Sequence, residues 1–148
     1  MHIYSATKQI MHNFLPISTN ILTFEETIKN KHTMEKISNS ILTVEISEHG
    51  AELQSIKKNG KEYSWQGDAK FWGRRSPVLF PNVGRVWNDK YTHMGNTYEI
   101  GQHGFARDMD FTLVSGSDTE VRYRLESSPQ TMEKYPWPFV LEIAYRLH

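Results

Sequence analysis

Residues 119–125 read TEVRYRL, and residues 139–147 read FVLEIAYRL. In the first, Val121, Tyr123 and Leu125 fall on one side and Glu120, Arg122 and Arg124 on the other. In the second, Phe139, Leu141, Ile143, Tyr145 and Leu147 alternate with Val140, Glu142, Ala144 and Arg146. A period of two marks strands with one buried face. Upstream, Leu42, Val44 and Ile46 point one way and Thr43 and Glu45 the other, and Glu52-Leu53-Gln54 resumes the alternation after a break at Gly50. Asn59-Gly60 separates Ile56–Lys58 from Lys61–Trp65 and supplies both positive φ angles of a type I′ hairpin turn. A second hairpin is expected from Lys90–His93 and Thr97–Ile100 around Met94-Gly95-Asn96. A third is expected from Phe111–Ser115 and Thr119–Leu125 around Gly116-Ser117-Asp118. Residues 127–138 read as a loop with one helical turn at Thr131–Tyr135. Pro136 and Pro138 close it, because proline cannot sit in a central strand. Short strands with turns between them predict an all-β fold, an antiparallel β-sandwich.

The chain has 148 residues, with 17 Lys+Arg balancing 17 Asp+Glu for a formal net charge of +0. That balance argues against a nucleic-acid partner, which calls for a basic excess. With 38% hydrophobic and 23% charged residues the chain has the composition of a globular domain. There is no cysteine, which excludes disulfides, thiolate catalysis and cysteine-ligated zinc. No apolar run is long enough to span a bilayer. The best export-signal candidate, Ile10 to Phe24, is interrupted by His12, Asn13, Pro16, Ser18, Thr19 and Asn20. The expectation is a cytoplasmic protein without a membrane partner. Residues 1–33 lack the period that starts at Met34. They read either as an extension outside the fold, with Met34 the natural start, or as an N-terminal helix packed on the domain. The strand at 139–147 runs almost to His148, and sandwiches of this kind often run to about 200–250 residues. The expectation is therefore a truncated sheet, whose exposed C-terminal strand would favour self-association.

Residues 72–110 break the alternation. Pro77, Pro81, Gly73, Gly84, Gly101 and Gly104 impose irregular backbone beside Arg74, Arg75, Arg85, Arg107 and His103. Polar loops on a β scaffold are where binding usually sits. His103, with Gly104 allowing close approach, is a candidate for proton transfer at neutral pH, or a structural histidine. Guanidinium forks suit carboxylates, phosphates and vicinal sugar hydroxyls. Arg85 and Arg107, amid glycine, stand open between ligand binding and ion pairing with Asp108, Asp110 or Glu99. Arg122, Arg124 and Arg146 read as strand-face ion pairs. Trp65, Phe71, Trp72, Phe80 and Trp87 cluster within 23 positions; they read as core, or as a platform for sugar C–H faces. No histidine pair has metal-ligand spacing on a helix, so no metal is expected. Gly-x-Ser-x-Gly, the phosphate loop and the dinucleotide fingerprint are all missing from the sequence.

Three blocks together carry a resemblance. Residues 50–68, GAELQSIKKNGKEYSWQGD, resemble the opening of the aldose 1-epimerase (galactose mutarotase-like) family. Residues 72–85, with SPVLFP at 76–81, look like its next block, and residues 103–107, HGFAR, look like its first active-site histidine motif. The flavour is that of the LacX-like branch related to hexose-phosphate mutarotases. The resemblance runs from Met34 to His148 and implies a large antiparallel β-sandwich. It also implies a reaction without cofactor that interconverts α and β anomers of a hexose or hexose phosphate. A base takes the anomeric hydroxyl proton and an acid protonates the ring oxygen; the ring opens, rotates and closes on the other face. Such acid–base groups supply about 10²–10⁴-fold each. By resemblance His103 is the catalytic-site residue that holds the sugar near its ring oxygen, and Arg74, Arg85 and Arg107 are candidate sugar or phosphate ligands. The family's second histidine and its glutamate base belong to the later half of the fold, and no block here matches them. The alternative is a carbohydrate-binding remnant, or a structural fragment that needs a partner.

Overall fold

A computed structural model describes residues 33–148. The expectations about residues 1–33, an extension or a packed helix, lie outside the described residues save for Thr33. Its carbonyl accepts from Glu48 N–H at 3.0 Å.

The alternating stretches form antiparallel strands. β1 (Met34–Ser38), β2 (Thr43–Ser47), β3 (Leu53–Lys58) and β4 (Lys61–Glu62) make one sheet in chain order. β5 (Lys90–His93) and β6 (Asn96–Glu99) form a separate hairpin. β7 (Thr112–Gly116), β8 (Glu120–Glu126) and β9 (Val140–Arg146) make a three-stranded sheet, again in chain order.

Local chemistry explains each reversal. The Asn39 side chain accepts from Ile41 N–H at 2.9 Å and Leu42 N–H at 2.8 Å, turning β1 into β2. Asn59 and Gly60 take φ of 50° and 77°, as the type I′ reading requires. The β5–β6 turn is one residue tighter than expected. His93 pairs with Asn96, leaving Met94 and Gly95 at φ 48° and 80°. The β7–β8 register shifts between Leu113 and Ser115, a bulge that alternation does not reveal. The helical turn, α1 (Pro129–Met132), starts earlier than expected because Ser128 caps it: Thr131 N–H donates to Ser128 Oγ, and Ser128 N–H donates to Thr131 Oγ1.

The two larger sheets share one core. Ile37, Val44 and Ile46 meet Val121, Tyr123 and Leu125, with Ala51, Ala106 and Phe111 filling between them. Each large apolar side chain removed from water contributes about 1.5–3 kcal/mol. Leu141, Ile143 and Tyr145 of β9 pack half-buried against the same core. The Tyr145 hydroxyl donates to Ala51 C=O at 2.8 Å, and burial pushes its pKa up to about 12. On the outer face of β8 and β9 the arginines pair as the sequence suggested: Arg124 with Glu142 at 2.7 Å and Arg146 with Glu120 at 2.6 Å. Among the described residues no helix is long and apolar enough to cross a membrane.

Candidate functional site

Two loops that lie far apart in sequence are stitched together around Phe80 and Gly104. The Phe80 carbonyl accepts from Phe105 N–H at 2.9 Å and from Ala106 N–H at 3.2 Å. The Phe80–Pro81 peptide is cis. Phe80 and Gly104 form an isolated parallel bridge so tight that a Cβ at position 104 would sit 2.1 Å from the Phe80 oxygen. Only glycine fits there, and its φ of 72° is one that glycine adopts freely. The Phe80 ring packs against Phe105, Tyr135 and Phe139, tying the loops to the β8–β9 connection.

This closure presents His103. Its backbone N–H donates to Gly84 C=O at 2.8 Å, and Gly84 N–H donates back to His103 Nδ1 at 2.9 Å. A neutral imidazole that accepts at Nδ1 carries its proton on Nε2. The Gln102 amide nitrogen stands 3.2 Å from that Nε2. Two N–H donors do not bond each other, so with this tautomer the amide is turned to offer its oxygen. His103 itself has φ 68°, uncommon for a residue with a Cβ.

The His103 ring lines a cleft of 440 Å³ with Trp72, Ser76, Leu79, Gln102 and Arg107. Arg107 is four-fifths buried, and its Nη2 donates to Gln102 C=O at 2.8 Å. Its Nε finds no hydrogen-bond acceptor, the nearest carboxylate oxygen, Asp108 Oδ2, standing 3.6 Å away. Buried Glu52 supports the opposite wall, where its Oε1 accepts from Arg75 N–H at 3.0 Å and Ser76 N–H at 2.7 Å. Trp72 is held by its carbonyl, which accepts from Trp65 Nε1 at 2.9 Å.

Of the four residues singled out from sequence, His103 and Arg107 meet in this cleft. Arg74 is occupied by Asp108, its Nη2 donating to Oδ1 at 2.5 Å. Arg85 turns the other way: it lies 3.2 Å from Asp89, is 63% exposed, and lines a shallow depression with Val86–Asp89. Arg75 is structural, donating to Gln54 C=O and Gln66 Oε1. The aromatics divide against the core reading. Phe80 packs inside, while Trp65, Phe71, Trp72 and Trp87 are 44%, 73%, 50% and 86% exposed. Gln102, Ser76 and Glu52 carry no sequence signal as site residues, and Asp108 reads from sequence only as an ion-pair partner for the arginines; Glu52 and Ser76 meet only in the fold. Among the described residues no group of three His, Asp or Glu side chains has the geometry to hold a metal ion.

The cleft can donate several hydrogen bonds beside an exposed indole ring, and none of its lining side chains is a carboxylate. The family model described as aldose 1-epimerase matches residues 34–148. A galactose mutarotase related enzyme from Lactobacillus acidophilus is similar at 42% identity and a TM-score of 0.77, over 78% of this chain and 39% of that one. A galactose mutarotase-like protein from Lactobacillus casei is similar at 40% identity and TM-score 0.76, over 78% and 40%. Protein LacX of Lactococcus lactis is 33% identical over 119 residues, which are 76% of this chain. The chain spans about 40% of the length of that curated relative.

Proposed function

The chain belongs to the aldose 1-epimerase family, and from that premise we propose that the His103 cleft is the hydrogen-bond-donating side of a sugar-anomer site. One observation carries this reading: the Gly84 N–H bonded to His103 Nδ1 fixes the proton on Nε2. Nε2–H then exchanges its Gln102 amide partner for the ring oxygen of a hexose or hexose phosphate. Arg107 donates to sugar hydroxyls, and the exposed face of Trp72 stacks on the C–H face of the ring. Arg74 acts at one remove, holding Asp108 beside Arg107.

In this reading His103 orients and polarises the sugar but does not take the anomeric proton. That step needs a base, and the cleft lining contains no carboxylate. The base and the proton donor to the ring oxygen are then groups other than those lining this cleft. Ring opening, rotation about C1–C2 and reclosure follow as the family resemblance implies. The reading is tested by titrating D-glucose and D-galactose into the 148-residue chain. Saturable binding that His103→Ala weakens at least 10-fold supports it; binding indifferent to that substitution refutes it.

A non-catalytic carbohydrate-binding role is the second reading, favoured by the same carboxylate-free lining. Polarimetry of freshly dissolved α-D-glucose separates the two. Accelerated mutarotation that His103→Ala abolishes assigns catalysis to this chain; binding without acceleration assigns it to the binding role.

A further inference from the structure

β9 is an edge strand: among the described residues it pairs with β8 on one side and with no strand on the other. We infer that the open side is an interface between two copies of the chain, which join β9 to β9 antiparallel about a two-fold axis at Ala144. The inference stands apart from the sugar reading.

Hydrogen-bond parity is the first argument. In an antiparallel ladder, alternate residues point both backbone groups at the same neighbour. Leu147 N–H donates to Thr119 C=O at 2.9 Å, and Phe139 C=O accepts from Ser127 N–H at 3.0 Å. The odd-numbered residues of β9 therefore face β8. Val140, Glu142, Ala144 and Arg146 turn their N–H and C=O groups to the open side, and the same four carry the exposed side chains of the strand.

Charge then selects the register. A partner strand that keeps inner and outer faces matched sets even-numbered residues against even. Centring on Glu142 sets that carboxylate against its own copy, and centring on Arg146 does the same for the guanidinium. Centring on Ile143 leaves both charges opposite apolar residues. Centring on Ala144 sets Glu142 against the partner's Arg146, twice over. Within each copy Arg124 already pairs with Glu142 at 2.7 Å, and Arg146 with Glu120 at 2.6 Å. The outer face then carries a row of alternating sign across four strands: Arg124, Glu142, the partner's Arg146 and the partner's Glu120. Opposite charges facing each other across a ladder stabilise it, and like charges destabilise it. On the inner face the same register sets Ile143 against the partner's Tyr145 and Leu141 against the partner's Leu147, all half-buried in the single chain. The smallest side chain of the strand sits on the axis, where one residue meets its own copy. The contact is self-complementary and closes on itself, as a two-fold interface must.

The other edges of the two larger sheets are blunted. β7 is bulged between Leu113 and Ser115, β4 has two residues, and the end of β1 is tied down by Ser38 N–H donating to Asp118 C=O at 2.6 Å. β9 runs seven residues with no shift of register.

The test is sedimentation equilibrium of the 148-residue chain, with single-cysteine crosslinking to read the register, since the chain has no cysteine of its own. The mass is expected to rise with concentration toward that of a dimer. Residues facing each other in a hydrogen-bonded pair stand about 5.5 Å apart at Cα, within disulfide range. Ala144→Cys is thus expected to give a disulfide dimer under mild oxidation. Val140→Cys, about 25 Å from its own copy along the strand, is not. Glu142→Arg and Arg146→Glu each turn two attractive pairs into two repulsive ones and are expected to weaken dimerisation about 10-fold. Mixing these two variants restores both pairs and is expected to recover the dimer. A parent that stays monomeric at every soluble concentration, crosslinking at position 140 as efficient as at 144, or a mixture no better than its separate variants overturns the inference. A monomer whose Glu142, Ala144 and Arg146 amides exchange slowly with solvent assigns the edge to another part of the chain and overturns it equally.

Discussion

Gly84 and His103 hold each other through two hydrogen bonds. The His103 backbone N–H reaches Gly84 C=O at 2.8 Å, and Gly84 N–H reaches the His103 ring at 2.9 Å. The pair fixes both the position of the imidazole and the nitrogen that carries its proton. His103→Asn is the informative substitution. Asparagine tolerates the positive φ and its Oδ1 can accept from Gly84, so the fold is expected to stay within about 1 kcal/mol of the parent. The sugar-facing donor is lost, and affinity for glucose is expected to fall about 10-fold, close to His103→Ala. Calorimetric titration beside thermal melts reads both effects; an asparagine variant that binds as well as the parent would assign His103 a structural role.

Gly104 sets the loop closure that creates the cleft. In Gly104→Ala the new Cβ meets Phe80 O at 2.1 Å and Phe80 C at 2.4 Å, at φ 72°. Overpacking and left-handed strain together are expected to cost about 2–5 kcal/mol. Gly101→Ala is the control, since a Cβ there meets nothing within 4 Å and the backbone needs no positive φ. Denaturant melts should separate the two variants widely; similar midpoints would mean the Phe80–Gly104 contact is not what holds the loops.

Much of the scaffold was legible in sequence because a half-buried strand writes its period directly into the chain. β2, β8 and β9 follow from Val44 and Ile46, from Val121, Tyr123 and Leu125, and from the run through Tyr145. Asn59-Gly60 names its own turn. The misses have physical causes. The bulge at Val114 leaves composition untouched, and Met94-Gly95 reverses the chain in two residues although methionine gives no turn signal. At the candidate site, His103 and Arg107 stood out because glycine and arginine surround them. Arg85 stood out for the same reason and lies elsewhere: Gly84 turns its N–H to His103, while the next side chain pairs with Asp89. Glu52 and Ser76 become partners only through a contact between residues 24 apart in the chain, which no local pattern encodes, whereas Gln102 meets its near neighbours His103 and Arg107.

Glu52 is one such partner. Buried at 8% exposure, it anchors the Arg75 and Ser76 amides and so the cleft wall from Ser76 to Leu79. Glu52→Ala leaves both N–H groups without their acceptor and is expected to cost about 1–3 kcal/mol or more. It should also weaken sugar binding at a distance. Glu52→Gln keeps one acceptor oxygen and is expected to lose less of both. Chemical denaturation paired with sugar titration checks the order; an alanine variant as stable as the parent contradicts it.

Glu62 gives the fold a dependence on acid. Ser55 Oγ donates to it at 2.5 Å, and Ile56 N–H, Ser64 N–H and Ser64 Oγ donate to its other oxygen. Those bonds, the Ser55 hydroxyl first, hold its pKa far below the ordinary 4.5. A depressed folded value means the stabilisation is fully present above about 4.5 and is lost as pH falls below it. Urea midpoints taken at about pH 6 and about pH 3 should fall more steeply for the parent than for Glu62→Gln. Parallel curves would remove Glu62 from the acid response.

The central claim is that sugar enters the His103 cleft and meets the Nε2 proton. The direct measurement is a glucose titration of the ¹⁵N-labelled 148-residue chain, read at the His103 ring nitrogens and the Gly84 amide. The expected result is a saturable shift at His103 Nε2, Gln102 and Trp72, with Nδ1 unprotonated before and after sugar. A protonated Nδ1 in the free chain, or shifts confined to the depression beside Arg85 and Trp87, would contradict it.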